Sequence, residues 1–150
     1  VRAEADLRSA VLRQLWRYWR ARHRAGHAPG RGDIDPVDIP RLLPYVMLLD
    51  VLATDPPDFR FRLVGTHITL MHRADNTGRR VSEAFHGDER ATVLRLYRRT
   101  VAERAAVAYR GRPMRLDGRL LDYEIVHLPL LDRGERVAMI LAGLEFTLRP

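Results

Sequence analysis

Cysteine and lysine are both absent from the 150 residues. Without cysteine there are no disulfides, no thiolate zinc sites and no cysteine nucleophile. Without lysine, Schiff-base chemistry and a Walker-type phosphate loop are excluded. Long hydrophobic runs are missing too. The longest, Val137 to Leu144, has eight residues, against the roughly 20 a membrane helix needs, so no membrane insertion is expected. The first twenty residues are strewn with arginine and hold no apolar signal-peptide core, which points to a cytoplasmic protein. No Gly-x-Ser-x-Gly elbow, dinucleotide fingerprint, internal repeat or low-complexity segment appears. What remains is 46% hydrophobic and 30% charged, the balance of one folded domain with a single core.

All 26 basic residues are arginine, and they are unevenly spread. Residues 1–32 hold eight arginines against Glu4 and Asp6, whereas the remaining 118 residues are almost neutral. The basic character thus belongs to an N-terminal segment, which divides the chain into an arginine-rich arm, 1–32, and a domain, 33–150. No glycine or proline interrupts residues 4–24, which predicts one helix there. At 100° per residue, Tyr18, Val11, Leu15, Trp19, Leu12 and Trp16 share an arc of about 160°, and Arg13, Arg17, Arg20 and Arg24 form a stripe on the other side. That arc is wider than the roughly 100° a surface helix requires, so burial against a second subunit through Val11, Leu15, Trp16 and Trp19 is expected as well. Gly26, Pro29, Gly30 and Gly32 then make a linker.

Asp35-Pro36 reads as an N-cap with proline at the first helical position. Residues 45–53 form an apolar strand, and Asp55-Pro56-Pro57-Asp58 a turn. In the next strand Phe59, Phe61 and Leu63 alternate with Arg60 and Arg62. Short helical pieces to about Phe85 and a long helix over 88–106 follow. Asp117-Gly118 is a two-residue hairpin signal and Asp132-Arg133-Gly134 a short loop, giving strands over 107–116, 119–131 and 135–148. The last strand is apolar on both faces, which places it centrally. The fold class is α+β, with a five-stranded antiparallel sheet, a helical middle segment and an N-terminal amphipathic helix.

The stretches Asp33-Ile-Asp-Pro-Val-Asp-Ile-Pro-Arg-Leu-Leu-Pro44, Leu48-Leu-Asp-Val51, Phe59-Arg-Phe-Arg-Leu-Val-Gly-Thr66 and Asp75-Asn-Thr-Gly-Arg79 resemble the short, stand-alone bacterial PAS proteins. Gly111-Arg-Pro113 and Leu128-Pro-Leu130 are similar to that family as well. The resemblance spans about residues 16–148 and implies the sheet order 2-1-5-4-3. It also implies a signalling sensor or interaction module, holding a small ligand between sheet and helices or binding a signalling protein partner. The cysteine motif of flavin-adduct photosensors is missing, and no output domain is expected on this chain.

Gly65 and Gly78 suit positions of constrained backbone. Asp75 and Thr77 suit turn and cap bonds, Thr66 belongs with Gly65 to the motif that carries the resemblance, and Arg62 is placed to pair with Asp50 or Asp75. His23 and His27 have ligand spacing without a completing carboxylate, and no metal is expected. No cofactor is expected either; a haem would need one axial histidine from His67, His72, His86 or His127. An apolar ligand would be lined by Phe61, Leu63, Met71, Phe85, Tyr97, His127 and Met139. The chain is not expected to be an enzyme. The alternatives are a nucleic-acid binder using Arg13, Arg17 and Arg20, or an isomerase-like site built from Asp50, Tyr97 and His127.

Overall fold

Two long strands, β5 (Arg119–Leu131) and β6 (Val137–Leu148), pair along almost their whole length and form the spine of the sheet. The structure, a computed structural model, describes residues 4–149. On the β6 side lie β1 (Val46–Leu52) and then β2 (Asp58–Val64). On the β5 side lies β3 (Val107–Arg110), giving the antiparallel order β2-β1-β6-β5-β3. Beyond β3, the short strand β4 (Met114–Leu116) also pairs with β5. The single strand expected over 107–116 is thus two, making six strands. The break falls at Gly111-Arg112-Pro113, where proline has no N–H to give a ladder.

The hairpin at Asp117-Gly118 has both residues at positive φ, 52° and 74°, the conformation a two-residue turn requires. β6 lies third in the sheet, flanked by β1 and β5, and is covered on both faces. Inward go Ile140, Ala142, Leu144 and Phe146, which join Leu49, Phe59, Phe61 and Tyr97 in one core. Over this face run α2 (Thr66–His72), α3 (Val81–Ala84) and α4 (Gly87–Glu103). Asp58, buried at the start of β2, ties α3 down by accepting from the Ser82 hydroxyl and main-chain N–H.

The opposite face of the sheet carries helix α1 (Ala10–Ala21). Leu12, Leu15 and Trp19 are buried against Val126, Leu128, Leu130 and Leu141. Each such side chain contributes about 2 kcal/mol by leaving water. The helix lies close because Gly143 stands beneath it: a Cβ there would sit 2.7 Å from Leu12 Cδ2 and from Leu15 Cδ2. Trp19 Nε1 also donates to the Pro129 carbonyl at 3.0 Å.

The helix expected over 4–24 is shorter at both ends. A 3-10 turn at Glu4–Asp6 precedes it, and Ser9 is its N-cap, accepting from the Leu12 N–H at 3.1 Å. The width of its apolar arc is largely used within the chain. The Tyr18 hydroxyl accepts from the Asp35 N–H and donates to Asp38, each at 2.9 Å, while Arg22 lies over the Tyr18 ring. Asp35 caps Pro36–Asp38 through the Val37 N–H. No helix among the described residues is long and apolar enough to cross a membrane.

Candidate functional site

Between the inner face of the sheet and α2, α3 and α4 lies a cavity of about 620 Å³. β1 and β2 supply Met47, Phe61 and Val64; α2 supplies Ile68 and His72. Ala74, Asn76 and Phe85 come from the segments around α3, and α4 adds Asp88, Glu89, Thr92, Val93, Leu96 and Tyr97. The far wall is Tyr109, Arg112, Met114, Tyr123, Ile125, His127, Leu144 and Phe146. Aromatic and aliphatic side chains make the interior. Polar groups sit at the rim, where Asp88, Glu89 and Arg112 are exposed.

Two polar side chains of the lining, Asn76 and His127, are buried. The His127 ring stacks flat on Tyr97, with centroids 4.0 Å apart and planes 7° from parallel. Both residues are only 3% exposed. Burial pushes the His127 imidazole down to about 3, against the pull of a hydrogen bond to the Leu96 main chain, so the ring is neutral at physiological pH. The same burial raises the Tyr97 phenol well above its ordinary range. Nearer the rim, His72 is held low by burial, with Glu89 acting the other way. Tyr123 is raised by burial first and by Tyr109 and Glu89 after it.

Of the seven residues expected to line a pocket, Phe61, Phe85, Tyr97 and His127 surround this cavity, and Leu63, Met71 and Met139 do not. Leu63 is displaced by a β-bulge. Leu48 pairs with Leu63 and Leu49 with Phe61, so Arg62 is the extra residue. A bulge reverses the pleat beyond it, leaving Leu63 41% exposed and turning Val64 to the cavity. Met139 packs under α1 on the other face. There Leu130 pairs with Met139 and Leu131 with Val137, so Ala138 is the extra residue and the inward phase passes to Ile140. Met71 packs into the core beside the cavity, while Ile68 and His72, one turn apart on α2, face it.

The candidate trio Asp50, Tyr97 and His127 is not brought together. Asp50 alternates with the inward-facing Leu49 and Val51 and pairs with Arg62 at 3.5 Å, away from the His127–Tyr97 stack. The remaining motif residues build the scaffold. Gly65 precedes Thr66, the first residue of α2, and gives its N–H to the Val46 carbonyl at 2.8 Å. A Cβ on Gly65 would meet the Pro44 and Leu43 carbonyl oxygens at 2.3 and 2.4 Å. Asp75 accepts from the Thr77 N–H and hydroxyl at 3.0 and 2.6 Å, a turn that carries the buried Asn76 to the cavity wall. Gly78, at φ +86°, then donates to the Phe61 carbonyl at 2.7 Å.

The arginine stripe on α1 is partly engaged. Arg17 pairs with Glu4, and Arg13 donates to the Leu7 and Arg8 carbonyls. Arg20 has no ion pair among the described residues. His27 contacts Glu135 at 2.9 Å, and His23 packs edge-on against Trp19.

Ile68, Tyr109, Leu144 and Phe146 also line the cavity, beyond the residues expected from the sequence. The signal for Phe146 is its two-residue spacing from Leu144 and Ala142, which only a choice of inward phase for β6 could use. A family model described as PAS domain matches residues 7–144. No curated protein matches the chain.

Proposed function

The chain belongs to the PAS-domain family, and on that premise we propose that it is a cytoplasmic, non-catalytic sensor and interaction module whose cavity holds an apolar small molecule. PAS domains are in general sensor and interaction modules. The observation that carries the finer reading is the lining of the cleft between sheet and helices, made largely of aromatic and aliphatic side chains such as Phe61, Ile68, Phe85, Tyr97 and Phe146. A largely apolar cleft with a few polar groups is the usual form of a ligand pocket.

Output proceeds through protein contacts of α1. Strand β5 turns Tyr123, Ile125 and His127 to the cavity and Glu124, Val126 and Leu128 to the α1 side. An occupant that favours one arrangement of β5 therefore biases the seat of the helix, to the extent of its differential affinity. Val11 and Trp16, half-buried at the edges of the helix, support a homodimer or a signalling partner on this surface.

Native mass spectrometry and an absorption spectrum of the purified protein test the cavity reading. A co-purifying small molecule, lost in a Thr92→Trp variant that fills the space, is the expected result. A Soret band would name haem as the occupant. An empty protein that also takes up no apolar probe would overturn the reading. Light scattering tests the homodimer, and a monomer at micromolar concentration would end that part.

A further inference from the structure

The turn between α2 and α3 sends one polar side chain inward. Asp75 and Thr77 are exposed, whereas Asn76 between them is only 8% exposed and lines the cleft. The turn is strapped to β2 around Phe61. Gly78 donates to the Phe61 carbonyl at 2.7 Å, and the Phe61 N–H donates to the Arg79 carbonyl at 3.0 Å. The Arg79 N–H in turn donates to the Asn76 carbonyl at 2.9 Å. The Asn76 side chain is fixed as well, because its Oδ1 accepts from Arg79 Nη1 at 3.0 Å. A guanidinium has donors only, so the amide end that meets Arg79 is the oxygen and the other end is the NH₂.

That NH₂ makes no hydrogen bond among the described residues. His127 Nδ1 is the only side-chain nitrogen or oxygen there that is both fully buried and unpartnered, so Asn76 Nδ2 keeps accessible surface in a residue that is otherwise enclosed. A donor held rigidly in a mostly apolar wall is left without the acceptor that buried polar groups ordinarily find. Resting on the cavity reading above, we infer that the occupant is an apolar molecule bearing an uncharged carbonyl oxygen, and that Asn76 Nδ2 donates to it. A group offering only N–H donors at that point would bring a donor to a donor. A pure hydrocarbon would cover the amide and leave it unsatisfied. An ionised carboxylate would need a cation beside it in the apolar interior. Arg79 is already committed to Asn76 and to the Glu83 carbonyl, and Arg112 of the lining is exposed at the rim. The rings of Phe61 and Phe85 suit a flat body for the molecule.

Acetophenone and α-methylstyrene provide the test, since they share a shape and differ by C=O against C=CH₂. Both are titrated into the whole protein and followed in ¹⁵N–¹H correlation spectra, with the Asn76 side-chain NH₂ pair assigned through the Asn76 backbone. The ketone is expected to move that pair downfield where the alkene does not. Asn76→Asp keeps an acceptor for Arg79 and removes the donor. The affinity ratio of ketone to alkene should therefore fall about fivefold or more from wild type to variant, the factor for one neutral hydrogen bond. Equal responses of the NH₂ pair to the two probes, or an unchanged ratio in a folded Asn76→Asp, would overturn the inference and leave the cavity reading standing. Failure of both probes to bind would overturn the cavity reading and the inference with it. The wild-type NH₂ resonances decide the matter even if Asn76→Asp does not fold.

Discussion

Replacing Glu124 by glutamine should loosen α1 from the sheet, and the size of the effect follows from the bonds that change. The Glu124 side chain is 7% exposed. Its oxygens accept from the Ser9 N–H at 2.8 Å, the Arg8 N–H at 3.0 and 3.1 Å, and Arg110 Nη1 at 2.9 Å. Ser9 in turn caps α1, so one carboxylate fixes the place where the helix begins. Glutamine keeps the shape but presents an NH₂ where an acceptor oxygen stood, so one charge-assisted bond to a buried group is lost, about 2 kcal/mol. Glu145 lies directly opposite on β6, and relief of that like-charge pair returns about 0.5 kcal/mol. The net expectation is about 1.5 kcal/mol. The chain has two tryptophans, Trp16 and Trp19, both on α1, so urea unfolding followed by tryptophan emission reports this helix. Arg110 is 44% exposed, so Arg110→Gln should cost only about 0.5 kcal/mol. A Glu124→Gln loss below about 0.5 kcal/mol would refute the claim that the buried charge of Glu124 helps to hold α1 to the sheet.

Gly65→Ala should lose about 3 kcal/mol, because its Cβ would lie 2.3 Å from a main-chain carbonyl oxygen that cannot rotate away; a urea midpoint within about 1 kcal/mol of wild type would show that the 43–45 turn yields. Acid should destabilise the fold through His127. Its folded pKa, about 3, lies below the ordinary value of 6.5, so the unfolded chain binds the extra proton and stability is lost as pH falls from about 6.5 toward 3. The limiting slope is about 1.4 kcal/mol per pH unit. Burial also lowers His23, His67 and His72, so the share of His127 is the difference between wild type and His127→Phe in urea midpoints measured from pH 7 to 4; parallel profiles would refute it.

The order of the elements was legible because the signals for it are local. Asp117-Gly118 could only be a tight turn, and the two-sided apolar content of 135–148 required a covered, central strand. Four of the seven expected lining residues surround the cavity, and two of the three that do not, Leu63 and Met139, fail for one physical reason. Alternation reports which residues share a face only while the register is unbroken, and a single bulge residue, Arg62 or Ala138, reverses it. Bulges leave little trace in one sequence: Arg62 continues a clean alternation, and Ala138 lies in a run where both phases are apolar. The start of α1 was equally hidden. Residues 4–9 have helical composition, but Glu124, more than a hundred positions away, takes the N–H groups of Arg8 and Ser9. Non-local bonds of this kind override propensity and cannot be seen in a window.

That same anchor makes β5 the strand through which cavity and helix can influence one another. Tyr123 and Ile125 line the cavity, and the residue between them, Glu124, holds the first turn of α1. Strand geometry forces this: adjacent side chains point to opposite faces, so a twist of the backbone that serves an occupant on one side must displace a carboxylate on the other. Glu124 cannot adjust without cost, because its oxygens are already committed to fixed main-chain donors. The hydrophobic contacts of Leu12, Leu15 and Trp19 with Val126, Leu128 and Leu141 tolerate small slides better, since they lack direction. On the proposed reading, the helix N-terminus is therefore the end that first registers occupancy, and the Trp19 end, held by its bond to Pro129, acts as the pivot.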